Sequence, residues 1–303
     1  MKVLVLGAGP AGLAAAIYAA RGGVEPIVIA GSQPGQLTLT TEVENYPGFE
    51  EPILGPELIE KMKRQAERFG SKFVEADAKK VKFSKPFKVW VDDEVFEGDA
   101  VIIATGSSAL WLGLPNEQRL RGKGVSACAT CDGFFFKEKD VVVVGGGDTA
   151  MEEALFLAKM VNKVTVIHRR DSLRAQRILQ DRAFSNAKIQ FLWNHLVIDI
   201  LGKDRVEGVR VKQVETGYEK DLECEAVFVS IGHKPNTEIF AGQVQIDEKG
   251  YVVRKIRSMS SVEGVFVAGD VYDYIYRQAV TAAGSGAEAA IDVVRWLEAQ
   301  HTT

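Results

Sequence analysis

The sequence contains few cysteines and histidines and has no excess of positive charge. Its 303 residues include three cysteines and four histidines and carry a formal net charge of -4. Three unevenly spaced cysteines are too few for the disulfide framework of a secreted scaffold. Without a basic surface field, nucleic acid and anionic membranes are disfavoured as partners. The composition, with 46% hydrophobic residues, instead fits two globular domains of ordinary size.

An unbroken apolar segment that would suit a membrane span is also missing. The uncharged stretch Val3–Ala20 superficially resembles a signal peptide or a membrane helix. Three glycines and Pro10 interrupt it, and they would break a spanning helix in its first turns. The same residues suit a strand Val3–Leu6, a tight turn and a helix that begins near Gly12. We therefore expect a soluble, cytoplasmic protein that does not enter a membrane.

The most informative pattern is an internal repeat. Segments Val3–Ala30 and Val141–His168 align without a gap, and each predicts a buried strand, a glycine turn, an alanine-rich helix and a second strand. This is the βαβ unit that binds nucleotides. The three fingerprint positions are Gly7, Gly9 and Gly12 in the first copy and Gly145, Gly147 and Ala150 in the second. One copy alone is a weak indication, because glycine turns also join strands to helices for structural reasons, but two matched copies indicate two nucleotide sites.

The elements outside the repeats follow one plan in both halves. Alternating apolar positions predict a small antiparallel meander over Phe73–Val91 and strands around Val206–Val214. Buried strands ended by a glycine are predicted at Val101–Ala104, Ala226–Ile231 and Val265–Ala268, with a closing helix over Ala279–Leu297.

The chain has no low-complexity linker, so the domain crossings must be short. The polar or proline-bearing stretches Gly106–Leu110 and Gly232–Asn236 are the candidates. We predict an α/β fold of two three-layer, Rossmann-like nucleotide-binding domains, with the second inserted in the first. The first domain comprises residues 1–109 and 235–303, and the second comprises residues 110–234.

The residue at the end of the second strand of each repeat indicates which nucleotide binds there. In the second repeat His168 is followed by Arg169, Arg170 and, one turn later, Arg174. Three guanidiniums and an imidazole suit a 2′-phosphate and favour NADPH over NADH, although a solvated charged helix start is the alternative. The first repeat ends at Ala30 with neither a carboxylate nor an arginine. Such a site suits a large, permanently bound flavin.

The segment CATCD, at Cys128–Asp132, contains the evident covalent chemistry of the chain. Two thiols three residues apart can close a small reducible disulfide, and a helix N-terminus at this point would support a thiolate. Half of a zinc site is the alternative, but a second CxxC or CxxH partner is missing. Asp132 is either a proton donor and acceptor for the dithiol or an ordinary turn carboxylate. Cys224 has no nearby cysteine, and we expect an inert thiol there.

Taken in order, these motifs make the sequence similar to the low-molecular-weight thioredoxin reductases over nearly its whole length. The matching stretches are GAGPAGLAAAIYAAR at Gly7–Arg21, TEVENYPGF at Thr41–Phe49, ATG at Ala104–Gly106, SACATCDGFF at Ser126–Phe135, GGGDTAMEEA at Gly145–Ala154, HRRDSLRA at His168–Ala175, GHKPNT at Gly232–Thr237 and VFVAGDVYDYIYRQAVTAAG at Val265–Gly284.

The resemblance implies FAD in the first domain, NADPH in the second and thioredoxin, a separate protein, as the acceptor. The implied FAD contacts are Gly7, Gly9, Pro10, Ala11, Gly12, Gln36, Asn45, Ala104, Thr105, Gly106, Gly269, Asp270, Arg277, Gln278 and Ala279. The implied NADPH contacts are Gly145, Gly146, Gly147, Asp148, Thr149, Ala150, His168, Arg169, Arg170 and Arg174.

The resemblance also assigns roles around the cysteine pair. Cys131 matches the sulfur next to the flavin, Cys128 the sulfur that attacks thioredoxin, and Asp132 the acid. Phe134 and Phe135 match aromatics that dock thioredoxin, although adjacent phenylalanines equally suit a core. Family members are homodimers in which the NADPH domain rotates, so that the nicotinamide and the disulfide meet the flavin in turn.

Three departures from the family pattern limit the transfer. The stretch Pro34–Leu37 is one glycine short of the usual PGGQL, so the loop at Gln36 is the least secure flavin contact. Leu110 replaces a common basic residue, and Gly284–Ala287 replaces the common GTGC. The chain stops at Thr303 without an appended thioredoxin domain. We therefore expect this protein to pass its electrons to a separate protein.

Three other functions remain open on the sequence. They are a dithiol oxidase of similar fold, a reductase fed by ferredoxin, and a nucleotide-sensing thiol switch. The intact second fingerprint and its arginine cluster argue against the first two.

Overall fold

The structure is a computed structural model that describes residues 1–32, 35–40 and 42–301. The sequence features at Pro34, Thr41 and Thr303 lie outside the described residues.

The chain divides into two compact units. The first unit comprises Met1–Ser108 and Lys234–Thr303, and the second comprises Ala109–His233. Each crossing lies one residue away from the boundary expected from the sequence. The strands are β1 (Lys2–Leu6), β2 (Glu25–Ile29), β3 (Glu42–Val43), β4 (Ile53–Leu54), β5 (Lys72–Val74), β6 (Ala78–Lys82), β7 (Phe87–Val91), β8 (Glu94–Gly98), β9 (Ala100–Ile103), β10 (Ser107–Ala109), β11 (Val125–Ser126), β12 (Asp140–Val144), β13 (Lys163–His168), β14 (Ile189–Trp193), β15 (His195–Leu201), β16 (Gly208–Gln213), β17 (Glu219–Glu223), β18 (Ala226–Val229), β19 (His233–Pro235) and β20 (Val265–Val267). The α-helices are α1 (Pro10–Arg21), α2 (Gly55–Arg68), α3 (Pro115–Arg119), α4 (Ala129–Asp132), α5 (Asp148–Leu157), α6 (Arg177–Phe184) and α7 (Ala279–His301).

The first unit is built on a parallel sheet with strand order β20-β9-β1-β2-β5. Successive residues of a strand point to opposite faces. Val3 and Val5 of β1 therefore join the core formed with α1 and α7, whereas Leu4 and Leu6 join the core formed with the meander β6-β7-β8. Both faces of the sheet are covered, which explains why β1 is almost continuously apolar.

The second unit repeats this plan with strand order β11-β18-β12-β13-β14. Val141 and Val143 of β12 pack in the core with α5, and Val142 and Val144 pack in the core with the antiparallel sheet β15-β16-β17. The prediction of two three-layer, Rossmann-like units is confirmed.

The two repeats form the βαβ units that the sequence predicts, β1-α1-β2 and β12-α5-β13. Helix α1 begins at Pro10, earlier than the expected start near Gly12. Proline suits the first position of a helix, because its fixed φ fits the first turn and its missing N–H would have no partner there.

Two strand predictions are wrong in their extent. Phe73 belongs to β5, which pairs with β2 at the edge of the parallel sheet, and the meander instead runs from Ala78 to Gly98. Val206 precedes β16, which covers only the central part of the predicted alternating stretch. Alternation alone does not distinguish a short parallel edge strand from the first strand of a meander. Across the described ranges, no helix is long and apolar enough to cross a membrane.

Candidate functional site

The glycine loop of the first unit leaves room for a phosphate group. A Cβ on Gly7, whose φ is +111°, would lie 2.3 Å from the Ala104 carbonyl oxygen, and a Cβ on Gly12 would lie 1.8 Å from the Gly7 oxygen. These two glycines are required by close packing. Gly9 precedes α1, and a Cβ there would meet nothing within 4 Å. The open space therefore lies at the helix N-terminus, where free backbone N–H groups favour an anion.

Residues from distant parts of the first unit are joined by hydrogen bonds, and one of them, Thr105, lies beside Gly7. The Thr105 hydroxyl donates to the Asn236 carbonyl at 2.7 Å, and the Asn236 amide donates to the Thr105 carbonyl at 2.9 Å. The Asn45 amide donates to the Gln278 side chain at 3.2 Å, although the two residues are far apart in sequence. The structure thus brings Asn45 and Gln278 together, as expected for residues of one site.

Gly269 and Asp270 follow strand β20 at the same edge of the sheet. The Gly269 N–H donates to the Ser285 hydroxyl at 2.8 Å, so the unusual GSGA stretch holds this turn in place. Burial and, to a smaller extent, the nearby Asp273 raise the pKa of the Asp270 carboxyl to about 6, although Arg277 opposes both effects. A half-buried carboxyl group with a raised pKa is a suitable hydrogen-bond partner for a polar ligand group such as a sugar hydroxyl.

Two predicted FAD contacts are less closely tied to this group. Gln36 begins a short 3-10 turn, Gln36–Leu39, and is exposed. No hydrogen bond joins its side chain to another described residue. Ala279 is the first residue of α7, next to Gln278. Their roles stay predictions.

The glycine loop of the second unit repeats the geometry of the first. A Cβ on Gly145 would lie 2.4 Å from the Ser230 carbonyl oxygen and 2.8 Å from the Ala150 Cβ, which requires glycine at this position. Gly147 precedes α5, and a Cβ there would meet nothing within 4 Å. Asp148 and Thr149 form the first turn of α5, and the Asp148 carboxylate accepts the Gln176 N–H at 2.6 Å.

His168 is buried, unlike the three arginines that are predicted to bind the 2′-phosphate with it. Its ring is buried at the end of β13, and a Cβ on Gly146 would lie 2.3 to 2.6 Å from three ring atoms. Burial lowers the pKa of the His168 imidazole, a backbone hydrogen bond at Ser172 opposes this shift, and the neighbouring arginines lower the pKa further. The imidazole is therefore neutral at pH 7, and it supports the glycine loop from below.

The arginines themselves are available to a ligand. Arg169, Arg170 and Arg174 are all exposed and lie close enough to His168 to affect its titration. The Arg174 N–H donates to the Gly146 carbonyl at 2.7 Å, which joins the arginine segment to the glycine loop. None of the three forms an ion pair with a described carboxylate. Arg177, by contrast, pairs with Asp181 at 3.0 Å.

Cys128 and Cys131 form a disulfide in the second unit, with their Cα atoms 5.3 Å apart. Cys128 is the N-cap of the single turn α4, and its carbonyl accepts the N–H groups of Cys131 at 3.3 Å and Asp132 at 3.1 Å. The Cys128 N–H donates to the buried Ser126 hydroxyl at 3.0 Å. Cys131 is an exposed residue, whereas Cys128 is half-buried.

Asp132 directly follows the disulfide and is largely enclosed. Burial raises the pKa of its carboxyl, and a hydrogen bond with Ser126 partly opposes this shift. A carboxyl group with a raised pKa holds a proton at higher pH than an ordinary aspartate, as a general acid must. The geometry supports the acid over the ordinary turn carboxylate, and the role stays a prediction.

The aromatic run after the disulfide divides into two groups. Phe134 is 66% exposed and Phe135 is 40% exposed, whereas Phe136 packs edge-on against Phe228 with ring centroids 5.9 Å apart. The core alternative therefore holds only for Phe136. Cys224 is buried and free, and burial raises its pKa to about 12, which agrees with the inert thiol predicted there. Within the described part of the chain, no cluster of His, Cys, Asp or Glu could hold a metal ion.

Comparison with known proteins agrees with this geometry. Residues 1–286 match the family described as pyridine nucleotide-disulphide oxidoreductase. The chain belongs to this family. It is similar to the thioredoxin reductase of Rickettsia conorii, with 53% identity over 98% of each chain, and to that of Mycolicibacterium smegmatis, with 52% identity over 98% of this chain and 97% of the relative.

Solved structures give the same result. The crystal structure of thioredoxin reductase from Streptococcus pyogenes MGAS5005 is similar with a TM-score of 0.93 and 41% identity, over 98% of both chains. Thioredoxin reductase from Giardia duodenalis has the same TM-score with 39% identity. The predicted resemblance to thioredoxin reductases is confirmed. As a pyridine nucleotide-disulphide oxidoreductase, the protein uses a nicotinamide nucleotide and a flavin together with its cysteine pair.

Three residues that form contacts in these sites were not predicted individually from the sequence. Asn236 holds Thr105 and Gly106, and the GHKPNT motif was the available signal. Glu153 accepts the Ala129 N–H at 3.2 Å and the Ser230 hydroxyl. Glu153 lies in the second repeat and Ser230 directly follows β18, but neither has a spacing that marks it.

Proposed function

We propose that this pyridine nucleotide-disulphide oxidoreductase is an NADPH-dependent thioredoxin reductase that contains FAD. The observation that carries the proposal is the Cys128–Cys131 disulfide, which lies in the same unit as a glycine loop flanked by exposed arginines. The relatives named above are thioredoxin reductases, which supports thioredoxin as the acceptor.

FAD is proposed for the first unit, residues 1–108 and 234–303. The open space at Gly9 fits a pyrophosphate, and the group of Thr105, Asn45 and Gln278 provides polar partners for the rest of a large cofactor. Asp270, half-buried at the same edge, would accept a hydrogen bond from it or donate one to it. A bound flavin supplies the link between a two-electron hydride donor and a disulfide.

NADPH is proposed for the second unit, residues 109–233. Gly147 and the N-terminus of α5 would hold the pyrophosphate, and the exposed guanidiniums of Arg169, Arg170 and Arg174 would bind the 2′-phosphate. These arginines support NADPH over NADH. They also disfavour an oxidase or a ferredoxin-fed reductase, neither of which needs a 2′-phosphate site.

The cysteine pair would reduce thioredoxin by thiol-disulfide exchange. Once two electrons and two protons have opened the Cys128–Cys131 bond, the Cys128 thiolate attacks one sulfur of the thioredoxin disulfide and displaces the other as a thiolate. The Cys131 thiolate then attacks Cys128 in the mixed disulfide, which releases thioredoxin with two thiols and restores the intramolecular disulfide. Asp132 supplies and recovers the proton that this cycle needs near the thiols.

The test is an anaerobic titration of the purified protein, followed by absorbance. A flavin spectrum bleached by NADPH at lower concentration than by NADH, and restored by oxidised thioredoxin, is the expected result. A flavin spectrum that neither nicotinamide changes would refute the proposed donor. Bleaching by NADPH that oxidised thioredoxin does not reverse would refute the proposed acceptor and favour a nucleotide-sensing thiol switch.

A further inference from the structure

Glu153 occupies a position that connects the two functional parts of the second unit. It lies in α5, between the buried Ala150 and Leu157, which are three residues before it and four residues after it on the same helix face. Its neighbour Glu152 is exposed. The two adjacent glutamates therefore have different surroundings on one helix, and only Glu153 is turned toward the interior.

Each carboxylate oxygen of Glu153 has its own partner. Oε1 accepts the Ala129 N–H at 3.2 Å, and Oε2 accepts the Ser230 hydroxyl. Ala129 directly follows Cys128 and opens the turn that the disulfide closes. Glu153 thus holds the redox turn from the side of the nucleotide helix, and its charge strengthens the bond to the N–H group.

Ser230 extends this connection to the glycine loop. The Ser230 N–H donates to the Val144 carbonyl at 2.8 Å, at the end of β12. The Ser230 carbonyl oxygen lies so close to Gly145 that no side chain fits between them. A continuous set of contacts therefore runs from Gly145 through Ser230 and Glu153 to Ala129.

We propose that Glu153 is a positioning residue that fixes the Cys128–Cys131 turn on the nucleotide-binding layer and thereby stabilises the disulfide against reduction. The inference rests on the proposed function only in treating this disulfide as the redox centre. While Glu153 holds Ala129, Cys128 and Cys131 stay within bonding distance, which keeps the effective concentration of one thiol near the other high. Removal of this hold leaves the disulfide less stable relative to the dithiol.

The experiment measures the redox equilibrium of the cysteine pair in the flavin-containing protein. The protein is equilibrated with graded ratios of reduced and oxidised dithiothreitol, quenched in acid, alkylated and analysed by mass spectrometry. Each equivalent of dithiothreitol donates two electrons and two protons to the disulfide and becomes cyclic oxidised dithiothreitol. For E153A we expect the equilibrium constant for reduction to rise about tenfold, as for loss of one hydrogen bond to a charged group, which is a shift of about 30 mV.

The chain offers matched controls for this measurement. E153Q keeps an acceptor for the Ala129 N–H and a polar group for Ser230, so its equilibrium constant is expected to stay within about threefold of the wild-type value. E152A changes the exposed neighbour and is expected to match the wild type. S230A removes one partner of Glu153 and is expected to shift the equilibrium in the same direction as E153A by a smaller factor.

Three outcomes would overturn the inference. They are an E153A equilibrium within twofold of the wild type, an E153Q shift as large as that of E153A, and an equal shift in E152A. If E153A does not fold, S230A decides the matter, since an unchanged equilibrium in S230A removes the proposed connection. A merely structural role for Glu153 would lower the melting temperature of E153A without moving the equilibrium. Because dithiothreitol replaces NADPH and thioredoxin, failure of the proposed function would not affect this test.

Discussion

The arginine segment after β13 permits a quantitative test of nucleotide choice. In the double variant R169Q/R170Q, two exposed guanidiniums that pair with no carboxylate among the described residues are replaced by neutral amides. A hydrogen bond to a charged group contributes about 1.5 to 3 kcal/mol, and exposure to solvent favours the lower end of this range. At about 1.4 kcal/mol for each arginine, the ratio of kcat/KM for NADPH to that for NADH falls about tenfold per residue. Because Arg174 remains, we expect a total loss between about tenfold and about a hundredfold.

The assay is steady-state thioredoxin reduction with each nucleotide at one fixed ionic strength, since salt screens exposed charges. The control is R177Q, which removes an exposed arginine that is already paired with Asp181. Equal losses with NADPH and NADH in R169Q/R170Q, or an equal loss of preference in R177Q, would refute a 2′-phosphate site at these arginines.

The same assay examines His168. Because burial lowers the pKa of its imidazole, this residue is neutral above pH 6.5 and contributes no charge to phosphate binding. The preference for NADPH should therefore stay constant between pH 7 and pH 8.5. A preference that falls as pH rises through 7 would show that a histidine cation takes part.

Three further predictions concern the other parts of the two sites. C128S should abolish thioredoxin reduction but still allow NADPH to bleach the flavin, as measured by stopped-flow absorbance beside the wild type. Thioredoxin reduction by C128S would refute the assignment of Cys128 as the attacking sulfur. F136A, which opens the core beside Phe228, should lower the free energy of unfolding measured in urea by about 3 to 5 kcal/mol. F134A should leave this free energy unchanged and raise the KM for thioredoxin several-fold. A loss of stability in F134A with none in F136A would contradict the assignment of these rings. Burial raises the pKa of Asp270 to about 6, so its stabilising contribution is complete below about pH 4 and is lost as pH rises through 6. In the flavin-free protein, D270N should consequently match the wild type in stability at pH 4 and be more stable at pH 7 by at most about 3 kcal/mol. A difference in melting temperature between D270N and the wild type that stays the same from pH 4 to pH 7.5 would contradict this.

The sequence predicted those parts of the fold whose cause is local. Gly7 and Gly145 are needed because their carbonyl neighbours leave no room for a side chain, and such positions carry a visible signal in the chain. The alternate residues of β1 and β12 serve two cores, and continuous apolar runs predicted these strands correctly. Phe73 was misplaced because the strand that pairs with β5 is remote in sequence.

The sequence predicted which residue types belong to each site better than it predicted which of those residues contact each other. The bond between Asn45 and Gln278 joins residues that no local pattern relates, and only the resemblance to known reductases placed both in one site. The environment of His168 was not predictable, because neither its burial nor its contact with Gly146, which go with a lowered pKa of the imidazole, is visible in the sequence. Glu153 and Glu152 are identical in sequence terms and differ only in which side of α5 they occupy.

The insertion of the second unit also fixes an order of assembly during protein synthesis. A ribosome releases Ala109–His233 as a complete set of strands and helices before it has made α7. Until then α1 lacks the helix that covers it, in which Gly286 lies directly against the Ala11 backbone. The second unit can therefore fold while Met1–Ser108 still lacks its partner segment Lys234–Thr303. The unit whose synthesis begins first is thus completed second.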